Sequence, residues 1–347
     1  MSSRWTIALD ATYSLGEDLS GIGVYCREIL SGLAAAWPEQ RFLFCYRPHR
    51  FLAGLRRPAP PNCHRRILWE SGPHSPPHLF HGLNQRMPVR RFPRAVSTFH
   101  DLFVLTAEYS TAEFRRRFAQ QARQAAERSD LIIAVSEFTA AQVRDLLGVE
   151  SSRLRVVPHG VHPPATPPTA ARENFVLHVG AIQKRKNLSR LVRAFTQMPP
   201  GWRLVLAGSS GFGAAEIFEE IARSPRRADI EVTGYVPKQR LEELYSRAAI
   251  LAFPSLDEGF GMPVLEAMAH RLPVLTSNRS ALPEVAGDAA ILVDPFDEEA
   301  IAAELRRLAS NEDLRLELAG RAVHRAAQYP WRRAVQQTRE VYKELLG

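Results

Sequence analysis

Long apolar runs are absent from this sequence, and cysteine is scarce. No stretch approaches the ~20 apolar residues that a membrane-spanning helix needs, and Met1 to Trp5 lead into a predicted strand without the pattern of a secretory signal. The three cysteines are odd in number and lack metal-ligand spacing: Cys26, Cys45 and Cys63. We therefore expect a cytoplasmic protein whose thiols are reduced and mostly buried.

The sequence also lacks the motifs that would indicate a metal ion or a nicotinamide cofactor. No Asp-x-Asp pair is present, and no His, Cys or carboxylate cluster has metal-ligand spacing. The loop Ser20–Gly23 begins like a dinucleotide-binding fingerprint. However, Cys26 stands where the third glycine would be, and no acidic ribose partner follows about twenty residues on. These absences argue against NAD and predict chemistry that needs neither a metal nor a cofactor.

Lysine is rare, with four residues beside 41 arginines, and the net charge of +8 is unevenly placed. Residues 1–165 hold 21 Lys and Arg against 14 Asp and Glu. A basic N-terminal half favours an anionic partner such as a phospholipid surface, although the arginine bias of a GC-rich genome would give the same composition. Nucleic acid is disfavoured, because Arg115–Arg117 lie in a helix-like stretch without interleaved aromatic residues or a recognition motif.

The length of 347 residues indicates two domains, and a hydrophobic content of 45% is ordinary for a globular protein. Short apolar segments alternate with helical patterns, which is typical of parallel βαβ units. The proline-rich passage His162–Pro168 continues neither kind of element and is predicted to be a stiff linker. We therefore predict one Rossmann-like domain at 1–165, a second at 166–330 and a last helix at 331–347.

Strands of the two domains are predicted from the short apolar segments. In the first domain they begin near Thr6, Arg41, Ala95, Leu131 and Leu154. In the second domain they begin near Phe175, Arg203, Ile230, Ala249, Val274 and Ala290.

The segment Glu258 to Glu266 joins the end of a strand to the start of a helix. Gly259 and Gly261 let the backbone approach a ligand closely, and Pro263 suits the first helical turn. The unpaired N–H groups and positive dipole end of such a helix attract an anion such as phosphate. The two flanking carboxylates can accept hydrogen bonds from sugar hydroxyls. The segment therefore predicts a site for a nucleotide sugar, the alternative being an ordinary glycine turn of an α/β protein.

Two further motifs follow predicted strands, at the edge where α/β sheets bind ligands. The loop Gly180–Asn187 puts Lys184, Arg185 and Lys186 beside a helix start. Cations at that place can hold phosphate, although a solvated basic turn would look the same. His100 follows another strand and is a candidate ligand contact, but a lone histidine is more often structural.

The chain resembles the retaining GT-B glycosyltransferases of family four over nearly its full length. Besides the two-glutamate segment, the matching stretches are Ile7–Asp10, Ser20–Tyr25, Phe99–Leu102, Leu282–Gly287 and Tyr329–Trp331. The resemblance implies an α/β fold of the GT-B type, with two Rossmann-like domains facing across a cleft and a C-terminal helix that crosses back to the first domain. It also implies a transfer that retains the anomeric configuration.

The resemblance also assigns roles to individual residues. His100, Glu258 and Lys186 are predicted to be catalytic, with His100 near the transferred sugar, Glu258 on its hydroxyls and Lys186 against the leaving diphosphate. The predicted donor-binding residues are Gly21, Gly23, Arg185, Lys186, Val236, Glu258, Gly259, Phe260, Gly261, Met262 and Glu266, the last on the ribose. The predicted acceptor-side residues are His81, Asn84 and Asp101. Many relatives have an arginine where this chain has Ala181, so Arg185 is predicted to supply the second positive charge.

These observations predict a metal-independent, retaining transferase that moves a hexose from a nucleotide diphosphate sugar to a glycan or polyprenol-linked acceptor in bacterial surface polysaccharide assembly. Mannose from GDP-mannose is the first hypothesis, because the segments Gly21–Tyr25 and Lys184–Asn187 resemble those of bacterial mannosyltransferases. A UDP- or dTDP-sugar donor would leave the same motifs in place. The other classes are a GT-B epimerase or phosphorylase and a non-catalytic nucleotide-sugar binder. We expect a cytoplasmic enzyme with peripheral contact to the inner face of the membrane through the basic N-terminal domain.

Overall fold

The computed structural model describes residues 4–16, 19–70, 76–164 and 172–347. Its contacts divide the chain into two units, each with a parallel sheet of its own. The first unit comprises Met1–Thr106, Thr111–Gly160 and Trp331–Gly347, and the second comprises Ala107–Ser110 and Val161–Pro330. The predicted boundary between 165 and 166 lies outside the described residues. In the structure the first unit ends at Gly160, and Val161 pairs with Pro330 inside the second.

The sheet of the first unit, in the described residues, has seven parallel strands in the order β3-β2-β1-β4-β5-β6-β7. These strands are β1 Thr6–Asp10, β2 Arg41–Tyr46, β3 Cys63–Ile67, β4 Leu79–Gly82, β5 Ala95–Phe99, β6 Leu131–Ala134 and β7 Leu154–Val156. Sequence reasoning did not predict β3 or β4. The edge strand β3 has only two apolar residues, around a basic core of His and Arg, and β4 is four residues long.

The helices of the first unit connect these strands. They are α1 Gly21–Ala36, α2 Pro48–Leu55, α3 Phe103–Thr106, α4 Ala112–Arg128 and α5 Glu137–Leu147. Two of them start on serine caps. The hydroxyl of Ser20 accepts a hydrogen bond from the N–H of Gly23, and that of Ser136 from the N–H of Thr139. These caps fix where the two helices begin, α5 directly after β6 and α1 after a longer loop that follows β1.

The second unit repeats the alternation of strand and helix. Its parallel strands are β8 Glu173–Val179, β9 Arg203–Ala207, β10 Ile230–Gly234, β11 Ala248–Phe253, β12 Val274–Ser277 and β13 Ile291–Val293, in the order β10-β9-β8-β11-β12-β13. Its helices are α6 Leu188–Phe195, α7 Ala214–Arg223, α8 Lys238–Arg247, α9 Met262–Ala269, α10 Leu282–Ala286, α11 Glu298–Ser310 and α12 Glu312–Ala326. Strand β11 is buried at every position, as expected for a central parallel strand between helices.

The last helix, α13 (Trp331–Leu346), belongs to the first unit although it follows the second in sequence. It packs against α1. The two helices approach so closely at Gly32 that a Cβ there would clash with the side chain of Val335. The hydroxyl of Tyr342 lies 2.6 Å from Nδ1 of His81 on β4. The predicted return of the C-terminal helix to the first domain is therefore confirmed.

No helix in the described part of the chain is both long and apolar enough to cross a membrane.

Candidate active site

The glycine turn between β11 and α9 has the geometry that the sequence predicted. Gly261 is the N-terminal cap of α9 and has a φ of 97°, in the left-handed region that favours glycine. A Cβ at this position would lie only 2.5 Å from Cδ2 of Leu282, so a larger residue does not fit. Pro263 lies in the first turn, which has no side-chain cap and no acidic residue. The positive end of α9 is thus available to an anion.

Lys186, Arg185 and Glu258 form one buried ionic cluster beside this turn. Nζ of Lys186 lies 2.5 Å from Oε1 of Glu258, and a guanidinium nitrogen of Arg185 lies 2.8 Å from the same oxygen. Lys186 is only 5% exposed and Glu258 7%. Two cations therefore share a single carboxylate oxygen, which places a surplus of positive charge next to the start of α9.

Asn187 holds the basic loop against the end of β11. It has a left-handed φ of 59° and ends the tight turn Lys184–Lys186. Its side-chain amide donates to the carbonyl oxygens of Pro254 at 3.1 Å and Pro295 at 2.6 Å. The sequence predicted Asn187 only as the start of a helix, and its part in fixing the cations was missed.

The ionisation of Glu258 reflects a balance between burial and its two cations. Burial alone would raise the pKa of this carboxyl group. The neighbouring Arg185 and Lys186 outweigh that effect and lower its pKa to about 2. Glu258 is therefore ionised at neutral pH. Nζ of Lys186 also lies 4.5 Å from the centre of the Phe253 ring, which favours the charged ammonium.

His178 is a second residue of this site that sequence reasoning missed. It lies on β8, fully buried, with Nδ1 3.0 Å from the carbonyl oxygen of Ala252. Its Nε2 has no hydrogen-bond partner among the described residues. Burial, reinforced by the charge of Lys186, lowers the pKa of His178 to about 3, so the ring is neutral. The sequence feature that could have identified His178 is its position near the end of a strand, two residues before Gly180.

The other predicted donor-binding residues lie around the same turn or farther along the sheet edge. Glu266 is on α9, where its Oε2 accepts a hydrogen bond of 2.8 Å from the hydroxyl of Tyr245. Burial raises the pKa of Glu266. Val236 is half-buried in the loop between β10 and α8. The contacts of both residues with a donor stay predictions.

Gly259, Phe260 and Met262 complete the predicted turn. Gly259 is buried, and Met262 is the half-buried first residue of α9. Phe260 is 4% exposed, and its ring packs edge-on against Tyr329 at 6.0 Å. Its side chain is thus part of the core of the second unit, so any contact of Phe260 with a donor would come from its backbone.

His100 lies at the carboxyl end of β5, as predicted, but its ring is engaged inside the first unit. Nε2 lies 2.9 Å from the carbonyl oxygen of Leu83, and Nδ1 lies 3.4 Å from Nε2 of His159. Burial lowers the pKa of His100 to about 4, so the imidazole is neutral. A contact with a transferred sugar stays a prediction, and it requires the ring to exchange one of these partners.

His159 was not among the predicted residues. Its ring stacks on His100 with centroids 5.3 Å apart and lies against Tyr25 at 5.0 Å. It follows β7 in the segment Pro158–Gly160, so its place after a strand was the available signal.

The ring of His81 is engaged inside the first unit, and its contact with an acceptor stays a prediction. Its ring is fully buried, with Nδ1 2.6 Å from the hydroxyl of Tyr342 and Nε2 2.8 Å from that of Thr98. Burial lowers its pKa to about 3. The contact with Tyr342 joins β4 to α13.

Asn84 and Asp101, the other predicted acceptor-side residues, follow β4 and β5. Asn84 is 5% exposed, and its Oδ1 accepts a 2.8 Å hydrogen bond from the N–H of Arg86. It therefore shapes a turn. Asp101 is half-buried beside His100, and its role on the acceptor side stays a prediction.

Gly21 and Gly23 differ in what the fold requires of them. A Cβ on Gly23 would lie 2.9 Å from Cδ2 of Leu19 and 3.0 Å from the carbonyl oxygen of Tyr13, so packing within the first unit selects glycine there. A Cβ on Gly21 would meet nothing within 4 Å. Gly21 is exposed at the first turn of α1 and leaves space next to the helix start.

In the described ranges no three His, Cys, Asp or Glu side chains are placed to hold a metal ion. The metal independence of the reaction remains a prediction.

Comparisons with known proteins agree with this architecture. A family model described as "Glycosyl transferases group 1" matches residues 165–325, and one described as "Glycosyltransferase Family 4" matches residues 71–163. The O-antigen chain mannosyltransferase B of Escherichia coli is 31% identical over 285 residues, covering 77% of this chain and 74% of that protein.

Solved structures show the same fold. The sucrose-phosphate synthase of Thermosynechococcus elongatus matches with a TM-score of 0.78 at 21% identity, covering 99% of both chains. The Anabaena protein HepE in complex with UDP-glucose matches with a TM-score of 0.74 at 16% identity, covering 98% of this chain and 99% of HepE. The two parallel-sheet domains thus have the GT-B fold, and this chain belongs to the group 1 glycosyltransferases of family four.

Proposed function

We propose that this glycosyltransferase moves a mannosyl group from GDP-mannose to a hydroxyl of a glycan, carried on a polyprenol lipid, in the assembly of a bacterial surface polysaccharide. The observation that carries the proposal is the pair of cations, Lys186 and Arg185, held beside the positive end of α9 by Glu258. The choice of mannose is supported by the 31% identity to an O-antigen mannosyltransferase.

The cluster suits departure of a nucleoside diphosphate. As the bond from the anomeric carbon to the phosphate oxygen breaks, negative charge develops on the diphosphate. Lys186, Arg185 and the N-terminus of α9 are already in place to stabilise that charge, and preorganised groups of this kind contribute several kcal/mol. Glu258 would accept hydrogen bonds from hydroxyls of the transferred sugar, and Glu266 from those of the ribose.

Retention of configuration follows if the acceptor attacks from the face that the diphosphate leaves. A new bond forms between the acceptor oxygen and the anomeric carbon, and a phosphate oxygen of the leaving group takes the acceptor proton. No covalent bond to Glu258 is needed, and the leaving charge is met by protein cations rather than by a metal ion.

The second candidate is the same reaction with a UDP-sugar. It is favoured by the likeness to HepE, which was solved with UDP-glucose. Small changes around one pocket decide between donors on a shared fold.

Thermal unfolding in the presence of nucleotides tests the donor. We expect GDP and GDP-mannose to raise the melting temperature more than UDP, dTDP, ADP and their sugars, with EDTA present throughout. A ligand at a hundred times its dissociation constant stabilises the folded state by about 2.7 kcal/mol. The shift should be lost in Glu266→Ala. It should persist in Tyr245→Phe, the matched control that removes only the hydroxyl bonded to Glu266.

Selective stabilisation by a uridine nucleotide would replace mannose by the second candidate. A response that disappears with EDTA would contradict the metal-independent site, and no response to any nucleotide would contradict the proposed function.

We also propose that the basic first unit binds the membrane surface through α4. Arg116 and Arg117 are exposed there, beside a Phe114 ring that is 40% exposed. We expect the protein to bind vesicles with anionic phospholipid, and binding to fall with added salt and when Arg115–Arg117 are changed to Glu. Vesicles of phosphatidylcholine alone are the control. Binding that salt does not weaken, or no binding at all, would contradict the proposal.

A further inference from the structure

A separate pocket lies at the carboxyl edge of the sheet in the first unit. Its volume is about 400 Å³, within the range of small-molecule sites. The segments that line it follow β2, β3 and β4. The lining residues are Arg47, His49, Leu68, Trp69, Glu70 and Arg86, together with Pro48. None of them is among the residues predicted from the sequence to bind donor or acceptor.

Arg47 is the fixed centre of this pocket. It is 4% exposed, and its Nε lies 4.0 Å from Oδ2 of Asp10, a carboxylate oxygen that is buried without a hydrogen bond in the described residues. On the other side its guanidinium pairs with Oε1 of Glu70. The second oxygen of Glu70 accepts a hydrogen bond from the N–H of Val89 at 3.1 Å. Both oxygens of Glu70 are thereby held in place at the pocket wall.

The remaining polar wall is the guanidinium of Arg86, whose positive charge also acts on the buried Asp10. The guanidinium of Arg86 is half-buried, and in the described ranges its side chain makes no hydrogen bond or ion pair. Its planar group can donate two parallel hydrogen bonds to neighbouring oxygens of a ligand. The adjacent wall is Trp69, a ring that is 44% exposed. An exposed tryptophan presents a flat apolar face, on which the C–H groups of a sugar ring can stack.

The charges around the pocket favour an uncharged ligand. The guanidinium groups of Arg47 and Arg86 stand against the carboxylates of Asp10 and Glu70, so formal charges balance. A phosphate would meet Glu70 as well as the arginines. The hydroxyls of a sugar ring can donate a hydrogen bond to the carboxylate of Glu70 and accept one from the guanidinium of Arg86. The C–H groups of the same ring can stack on Trp69.

We propose that this pocket binds a neutral sugar residue of the acceptor glycan. The inference rests on the proposed function and adds the class of acceptor group and the residues that hold it: Trp69 as stacking surface, Glu70 as acceptor and Arg86 as donor of hydrogen bonds. Arg47 and Asp10 are positioning residues that fix Glu70.

Direct binding of sugars to the whole protein tests this proposal. We would measure saturation-transfer NMR with the methyl glycosides of mannose, glucose, galactose and N-acetylglucosamine, and separately with inorganic phosphate. At least one glycoside should bind the wild type. Trp69→Ala and Arg86→Gln should each weaken that binding about tenfold or more, the loss expected for one stacking contact or one charge-assisted hydrogen bond. Leu52→Ala and Arg50→Gln, at exposed positions on α2, are the matched controls and should bind as the wild type does.

The thermal response to nucleotides separates this proposal from the proposed function. It should be unchanged in Trp69→Ala and Arg86→Gln, because their pocket belongs to the first unit and the cation cluster to the second. Three results, each obtained with normal nucleotide binding, would overturn the acceptor pocket and leave the proposed function standing. The first is that no glycoside binds, and the second is that neither variant changes the affinity for a glycoside. The third is that phosphate is the ligand that binds and that Arg86→Gln abolishes its binding.

Discussion

Replacement of Lys186 by alanine is expected to lower kcat by about 10²- to 10³-fold, the loss seen when one preorganised group that stabilises transition-state charge is removed. Lys186 is buried, with its ammonium beside Glu258 and the ring of Phe253. The measurement is the release of nucleoside diphosphate from the donor with acceptor present.

The matched control for this variant is Lys184→Ala. Lys184 belongs to the same tight turn but is exposed, so its loss should leave kcat close to that of the wild type. Thermal unfolding of both variants shows whether each is folded at the assay temperature. Unchanged turnover in a folded Lys186→Ala protein would show that the cluster does not stabilise the leaving group.

The alternation of apolar strands and helical patterns predicted the fold because each strand in a parallel sheet is buried on both faces. The central strand β11 is apolar throughout and was predicted within a residue of its start. The strand β3 could not be predicted in this way, because it lies at the sheet edge and the side chains of His64 and Arg66 are exposed to solvent. A strand that is buried on both faces leaves a continuous apolar run in the sequence, whereas a strand at the sheet edge does not.

The candidate site was predictable where backbone conformation restricts the residue type. Gly261 and Pro263 marked the start of α9 because few other residues fit a left-handed cap and a first helical turn. Contacts between distant segments left no such mark. The side chain of Asn187 donates to the carbonyl oxygen of Pro295, and the charge of Lys186 helps to lower the pKa of His178.

His81 illustrates what an unpredicted strand hides. It was predicted to lie on the acceptor side, and the structure places it on β4, where its ring bonds Tyr342, a residue far away in sequence. A histidine at the end of a strand needs hydrogen-bond partners for its ring nitrogens. The fold decides whether a ligand or another helix supplies them.

Glu258→Gln is expected to have effects of opposite sign on binding and on turnover. In the free protein, Glu258 pairs with both Lys186 and Arg185, so a diphosphate must compete with it for the two cations. The neutral amide releases them, and a free nucleoside diphosphate should bind more tightly. Turnover should fall by about 10- to 100-fold, because the proposed charge-assisted hydrogen bond to the donor sugar, worth about 1.5–3 kcal/mol, would be lost.

The same change should destabilise the ligand-free protein by about 3 kcal/mol, since two buried cations lose the carboxylate between them. Saturating nucleoside diphosphate should restore much of that stability, giving the variant a larger shift in melting temperature than the wild type. The control is Glu298→Gln, which breaks a half-exposed pair with Arg193 and should change neither nucleotide binding nor turnover. Weaker diphosphate binding in Glu258→Gln would mean that the carboxylate organises the cations for the ligand rather than occupying its place.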